Sequence, residues 1–294
     1  MLVGFHHPVL IPLAQNGLIR IMAAYQYRRC LAFVNQYSDR RRSIAETVAQ
    51  SWLSSGALDF QHIVDLGTGD GELLRHLLSR LSGARRLSIV EIDDVLREQA
   101  EKGLGEAGFR IDSYVSDADL QTISHYLASH VIYYLPAIDS WLADVVNKLT
   151  PNGVVSIVLR DESCTTNHVR AVVRRHENST SRISINSLIA TMSGMGLHTH
   201  DLIAATKWEY DVKPGWELSA DLADSADPEL DSFIRWMARI PFDQHIESAL
   251  LLQLRNYLSS TVFDGVMVWH LRDRVITGKR VTADQVETLP CTRG

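Results

Sequence analysis

The sequence predicts an α/β protein built on a doubly wound sheet. Short apolar runs alternate with longer amphipathic stretches from residue 61 onward, a glycine-rich turn follows the first run, and an acidic residue accompanies the end of each of the next two. Strands that alternate with helices form parallel βαβ units, with helices on both faces of the sheet. We therefore expect a Rossmann-like architecture, in which ligands bind at the carboxyl ends of the strands.

The elements of this core are predicted from hydrophobic spacing and from turn residues. Buried strands are predicted where short apolar runs occur, at 62–66, 87–91, 109–116, 129–135 and 154–159. Amphipathic helices are predicted between them, at about 71–81, 95–106 and 138–149. A turn at Pro151-Asn152-Gly153 separates the last of these helices from the fifth strand.

Both flanks of the core are predicted to be largely helical. Residues 1–60 show helical spacing and no strand pattern, so we expect an N-terminal helical cap or lid before a domain that spans 61–294. A helical insertion is predicted at about 214–260, ahead of the last strand. That strand is predicted over 266–272, with a hairpin turn at Asp273-Arg274.

Composition excludes several classes of protein. The chain has 294 residues, is 46% hydrophobic and carries a formal charge of -6. It has no basic footprint for nucleic acid, and the short cluster Arg40-Arg41-Arg42 is interpreted as a solvated helix face. Cys30, Cys164 and Cys291 lack disulfide or zinc spacing, which favours a cytoplasmic protein without a metal. No apolar run reaches the ~18–20 residues that span a bilayer.

The strongest motif is the turn Asp65-Leu66-Gly67-Thr68-Gly69-Asp70-Gly71. It follows a predicted strand and opens a predicted helix, where glycines permit positive φ and close approach of a ligand to the backbone. Its spacing is G-x-G-x-G, whereas nicotinamide dehydrogenases use G-x-G-x-x-G. The turn therefore predicts a nucleotide-like ligand and argues against a nicotinamide cofactor.

Two acidic residues extend this prediction. Glu91, followed by Ile92, ends the second strand, where a carboxylate can accept hydrogen bonds from both hydroxyls of a ribose. Asp117, followed by Ala118, comes after the third strand, where a carboxylate can receive the amino group of adenine. Because the glycine turn and both acids follow neighbouring strands in order, we expect them at one edge of the sheet.

These motifs resemble the class I methyltransferases that use S-adenosylmethionine (SAM). The resemblance covers about residues 60–160 and implies a seven-stranded sheet in the order 3-2-1-4-5-7-6. It implies a SAM site lined by the turn and its neighbours: Asp65, Gly67, Thr68, Gly69, Gly71, Glu91, Ile92, Asp117, Ala118 and His130. The helical N-terminus, the S-H-x-x-Y-Y stretch from Ser129 and the late insertion loosely resemble the histamine N-methyltransferase-like branch. The Asn/Asp-Pro-Pro-Tyr motif of some amino-group methyltransferases is absent.

Candidate catalytic residues lie in the segment that resembles the family's fourth motif, which borders the methyl group. His130 is predicted to orient or deprotonate an acceptor, and Tyr133 or Tyr134 to place a ring face near a cation. The alternative is that His130 belongs to the wall of the site and that one tyrosine is core. Candidate residues for binding the substrate are aromatic: Tyr25, Tyr134, Trp208 and Trp216. Packing alone also explains the tryptophans.

The predicted function is transfer of the SAM methyl group to nitrogen or oxygen of a small molecule. We expect the acceptor between residues 1–40, the Tyr133-Tyr134 loop and the segment 205–260, and the insertion is compatible with a homodimer. One alternative is attack on the aminobutyrate γ-carbon of SAM, which gives aminobutyrate transfer or cyclisation to azetidine-2-carboxylate and releases methylthioadenosine. A second alternative is a SAM-binding sensor without catalysis.

Overall fold

The structure is a computed structural model that describes residues 17–83, 86–135, 137–177 and 184–281. The chain divides into two compact units. We call the first the helical unit; its described residues are 17–40, 160–177 and 205–273. The second is the sheet unit, with described residues from the ranges 41–159, 184–204 and 274–281.

The strands and helices have the following bounds. The strands are β1 His62–Leu66, β2 Arg86–Val90, β3 Ile111–Tyr114, β4 Ile123–Ser129, β5 Leu149–Arg160, β6 Leu197–Asp211, β7 Val262–Phe263 and β8 Val266–Arg280. The helices are α1 Gly17–Gln36, α2 Arg40–Ser54, α3 Glu72–Leu78, α4 Asp94–Glu106, α5 Ile138–Lys148, α6 Thr165–Glu177, α7 Ile185–Gly194, α8 Pro228–Ala238 and α9 Ser248–Ser259.

The order of strands in the sheet is β3-β2-β1-β4-β5-β8-β6, with β7 paired to β8. The pairs of β1 with β2 and β4, of β2 with β3, and of β4 with β5 are parallel. The strand predicted as the seventh is β8, because the two-residue strand β7 precedes it. The predicted α/β fold and its strand order are therefore confirmed.

Helices cover both faces of the sheet unit, as a doubly wound fold requires. On one face Ile63 of β1 packs in a buried cluster with Leu74 of α3 and Ala100 of α4, and Trp52 of α2 belongs to the same cluster. On the other face Val64 packs in a cluster with residues of α5 and α7. Helix α2, which lies within the predicted cap 1–60, is thus part of the core of the sheet unit.

The fourth strand was predicted wrongly at 129–135. Strand β4 ends at Ser129, and Ile132–Tyr134 form a short 3-10 helix. His130 has a positive φ of 58°, a left-handed conformation that interrupts the strand and that histidine tolerates better than branched residues do. The true strand escaped prediction because His125 and its neighbours are polar, although the His125 ring is buried between the rings of Trp52 and Phe60.

The predicted hairpin at Asp273-Arg274 is also wrong, because β8 continues through these residues to Arg280. The Asp273 carboxylate is buried and accepts two hydrogen bonds from the Arg40 guanidinium, at 2.7 and 2.8 Å. Bidentate pairing satisfies both charges away from water. The prediction that Arg40-Arg41-Arg42 form a solvated helix face is therefore wrong for Arg40, which is buried.

The helical unit has an aromatic core. Helices α1, α6, α8 and α9 contribute to it, and the predicted insertion 214–260 contains α8 and α9. The central rings are those of Phe33, Trp208, Phe233 and Trp269. No helix in the described part of the chain is both long and apolar enough to cross a membrane.

Candidate functional site

A left-handed glycine turn follows β1 in the sheet unit. The φ angles of Gly67, Gly69 and Gly71 are 70°, 61° and 80°. The Gly67 N–H donates to the carbonyl of Val90 at 2.8 Å, which fastens the start of the turn to β2. Residues with a Cβ rarely adopt these angles, so the backbone of this turn depends on glycine.

The three glycines of the turn have different surroundings. A Cβ on Gly67 would lie 3.0 Å from the Val131 side chain, and a Cβ on Gly71 would lie 3.0 Å from Ala100 of α4. A Cβ on Gly69 would meet no atom of the described residues within 4 Å. Gly67 and Gly71 therefore serve packing, whereas Gly69 has open space beside its backbone.

Asp65 lies beneath the turn and is only 2% exposed. Burial raises the pKa of its carboxyl to about 8, and the neighbouring charge of Glu91 raises this pKa further. A hydrogen bond from the Thr68 side chain acts in the opposite direction and lowers the pKa. The Thr68 hydroxyl also donates to the Asp65 carbonyl at 2.8 Å, which closes the base of the turn. A large share of Asp65 is therefore neutral near pH 7, and a neutral carboxyl can both donate and accept hydrogen bonds.

Glu91 joins the turn to the end of β2. Its carboxylate accepts the N–H of Gly69 at 2.8 Å and the N–H of Asp93 at 2.9 Å, and the residue is nearly buried. Burial raises the pKa of Glu91, while these backbone N–H groups lower it. Asp93 in turn caps α4 by accepting from the first amides of that helix. The predicted ribose acid is thus held directly against the predicted glycine turn.

The other predicted cofactor residues follow the same ends of neighbouring strands. Ile92, directly after Glu91, exposes 47% of its surface, which is unusual for so apolar a residue. Asp117 is half-buried and Ala118 is exposed in the loop after β3. Because β1, β2 and β3 are adjacent and parallel, these loops emerge at one edge of the sheet, as predicted.

The candidate catalytic rings lie immediately after β4, the other neighbour of β1. The rings of His130 and Tyr133 are stacked, with centroids 6.4 Å apart and planes inclined by 16°. The Tyr134 ring stands edge-on to that of Tyr133. In a strand, adjacent side chains point to opposite faces, and one of the two tyrosines would enter the core. Tyr133 and Tyr134 lie in a 3-10 helix instead, and both are half-buried.

The other residues predicted to bind substrate belong to the helical unit. Tyr25 on α1 is exposed, with the Arg29 guanidinium 5.9 Å from its ring centre. Trp208 is fully buried and stacks on Tyr210, and the Trp216 indole N–H donates to Asp231 at 2.9 Å. Packing and hydrogen bonding account for both tryptophans, so contact with a substrate stays a prediction.

Three residues that support the site could not be recognised from the sequence. Arg41 is paired with Asp70 of the glycine turn. Tyr126 and Lys148 both bond to Asp117. Lys148 falls at the end of a predicted helix and Tyr126 in the strand that was not predicted, and nothing in the sequence indicated Asp117 as their shared partner.

The chain matches no known family profile, and no curated protein is similar to it in sequence. Among solved structures, it is similar to a plantazolicin methyltransferase in complex with S-adenosylhomocysteine, abbreviated SAH. The identity is 11%, the match covers 90% of this chain and 91% of that one, and the TM-score is 0.48. It is also similar to a magnesium protoporphyrin IX methyltransferase from Synechocystis with bound SAH (10% identity, 62% and 88%, TM-score 0.48). Likenesses at this level of identity do not transfer an activity to this chain.

Proposed function

We propose that the chain is a SAM-dependent transferase that methylates a nitrogen or oxygen of a small-molecule acceptor. One observation carries the proposal: the Gly69 N–H, on the open side of a left-handed glycine turn, is bonded at 2.8 Å to the nearly buried carboxylate of Glu91. A nucleotide-like ligand needs this combination of close backbone approach and an acid for its ribose.

The described residues fit the parts of SAM in order along the sheet edge. Glu91 would accept the ribose hydroxyls, and the exposed side chain of Ile92 would lie against the base. Asp117 and Ala118 would bind the adenine edge. The turn from Asp65 to Gly71, with its open face at Gly69, would hold the methionine portion. Each role follows from residue chemistry and from the position at a strand end.

When bound, SAM supplies an electrophilic methyl group on a sulfonium. The chain has to hold a nucleophile in line with that group, and a strong base is often unnecessary. His130 can accept a proton from the acceptor or orient it, because neutral imidazole offers one acceptor nitrogen. The rings of Tyr133 and Tyr134 can stabilise positive charge through their faces. These roles are part of the proposal.

Binding of S-adenosylhomocysteine (SAH) to the full chain, measured by titration calorimetry, tests the cofactor assignment. We expect SAH to bind and NAD to fail to compete. Glu91→Gln should weaken SAH binding by ~10-fold or more, because hydrogen bonds to a charged carboxylate contribute about 1.5–3 kcal/mol. Glu98→Gln, at an exposed glutamate of α4, is the matched control and should bind as the parent does. Failure of the parent chain to bind SAH would refute the proposal.

The products formed from SAM alone test which bond breaks. Methyl transfer requires an acceptor, so incubation without one should leave SAM intact. Appearance of methylthioadenosine under those conditions would replace methyl transfer with attack on the aminobutyrate carbon. A chain that binds SAH but transfers a methyl group to no member of a small-molecule amine and phenol panel would favour a sensor.

A further inference from the structure

A buried tyrosine holds the acid that we assign to adenine. Tyr126 lies on β4 with no exposed surface, and its hydroxyl donates a hydrogen bond to the Oδ2 atom of Asp117. Its ring packs edge-on against Trp141, with centroids 5.9 Å apart. A hydroxyl in such an apolar cluster is costly unless it is paired, so the bond to Asp117 is maintained in the folded chain.

A buried lysine holds the backbone of the same residue. Lys148 at the end of α5 is 8% exposed, and its Nζ donates to the Asp117 carbonyl at 2.9 Å. Asp144, one turn earlier, pairs with the same ammonium at 2.6 Å. The Leu120 N–H also donates to the Asp117 carbonyl, at 3.2 Å. Both the carbonyl and one carboxylate oxygen of Asp117 are therefore fixed from within the core.

The second carboxylate oxygen of Asp117 differs from the first. No hydrogen bond to Oδ1 occurs among the described residues, and the residue is half-buried beside exposed Ala118. A carboxylate oxygen accepts hydrogen bonds and cannot donate them when ionised. An amino group on a neighbouring base would satisfy it, whereas a carbonyl at the same place would leave two acceptors facing each other.

We propose that Tyr126 and Lys148 are positioning residues that make the site selective for a 6-amino purine over a 6-oxo purine. The inference rests on the proposed function, because Asp117 must be the residue that contacts the base. Tyr126 prevents the carboxylate from turning away, and Lys148 keeps its backbone at the strand end. Without Tyr126 the carboxylate can rotate away from the base. It then loses its bond to the amino group of a 6-amino purine and no longer faces the carbonyl of a 6-oxo purine, so discrimination falls.

The test compares dissociation constants for SAH and its inosine analogue, S-inosylhomocysteine, which carries oxygen in place of the amino group. The parent chain should bind SAH more tightly. Tyr126→Phe removes only the hydroxyl and should narrow the ratio of the two constants by ~5-fold, mainly by weakening SAH. Lys148→Met should narrow it in the same direction. Tyr114→Phe, on strand β3, is the matched control and should leave the ratio unchanged, because the Tyr114 hydroxyl bonds to Arg86 and not to Asp117.

The ratio separates positioning from general damage, because a loosened fold weakens both ligands alike. A folded Tyr126→Phe chain with the parent ratio would overturn the inference while leaving SAM binding in place. Failure of the parent to bind SAH would instead overturn the proposed function. If Tyr126→Phe does not fold, Lys148→Met decides, since it leaves the strand core unaltered, and an unchanged ratio there counts against the proposal.

Discussion

The Nη2 atom of Arg41 lies 2.8 Å from Oδ2 of Asp70, which ties the first turn of α2 to the middle of the glycine turn. Asp70 stands between Gly69 and Gly71, and its Oδ1 accepts the N–H of Glu72 at 3.2 Å. The turn is therefore held on one side by Glu91 and on the other by Arg41. The sequence pattern predicts a solvated helix face for Arg41, and the ion pair with Asp70 corrects that prediction.

We expect Arg41→Ala to weaken SAH binding by ~3–10-fold. The pair is partly exposed, with 20% and 32% of the two side chains accessible, so its contribution to binding should stay near ~1 kcal/mol. The physical reason is that Asp70 loses one of its two anchors and the turn samples more conformations. Arg41→Lys should restore part of the affinity, and titration calorimetry measures both effects.

The matched control for this prediction is Arg80→Ala. Arg80 forms an ion pair with Glu46 of α2, as Arg41 does with Asp70, but Arg80 lies after the end of α3, away from the glycine turn. It should leave SAH affinity unchanged. If Asp70→Asn and Arg41→Ala reduce affinity additively in the double variant, the ion pair is not the cause.

Alanine at two of the three glycines should have different consequences. Gly71→Ala places a Cβ 3.0 Å from Ala100, so it should lower the free energy of unfolding by ~2 kcal/mol or more, through overpacking as well as backbone strain. Gly69→Ala meets open space and should cost only the strain of its positive φ, while it weakens SAH binding markedly. Urea unfolding and SAH titration of both variants measure the two effects. Equal stability loss in both variants would contradict the packing argument.

Asp65→Asn should change the dependence of stability on pH. The folded pKa of about 8 lies above the ordinary value of 3.8, so the buried acid is stabilising in its protonated form and that contribution is lost as pH rises from about 4 through 8. Asparagine does not ionise. Relative to the parent, the variant should gain ~1–3 kcal/mol in free energy of unfolding between pH 5 and pH 8. A difference that is the same at both pH values would refute the burial of a titrating carboxyl.

His125→Phe should act in the opposite pH range. Burial lowers the pKa of His125 from 6.5 to about 4, so the neutral form is the folded one and stability is lost as pH falls from about 6.5 toward 4. The variant loses the hydrogen bond to the Ala57 carbonyl and should be less stable at pH 8. Its further loss of stability between pH 7 and pH 5 should be smaller than that of the parent.

Much of the fold and of the cofactor edge was predictable because the signals are local. The turn from Asp65 to Gly71 combines an apolar strand, glycines and the start of a helix within a few residues, and Glu91 follows its own strand directly. Parallel βαβ geometry then brings successive strand ends to one edge, whatever the rest of the chain does. The sequence by itself therefore determined the parallel α/β core and the position of the glycine turn and its acids, whereas the strand order was implied by the resemblance to class I methyltransferases.

The tertiary structure decided what depends on distant partners. Arg40 finds Asp273 across 233 residues, Arg41 finds Asp70 across 29, and His125 becomes a core residue only between Trp52 and Phe60. In the sequence, a polar side chain resembles a surface residue, whether or not a partner in the folded chain offsets the free-energy cost of its desolvation. Only the folded chain shows which of these groups are paired, and that pairing accompanies the continuity of β8 and anchors the glycine turn.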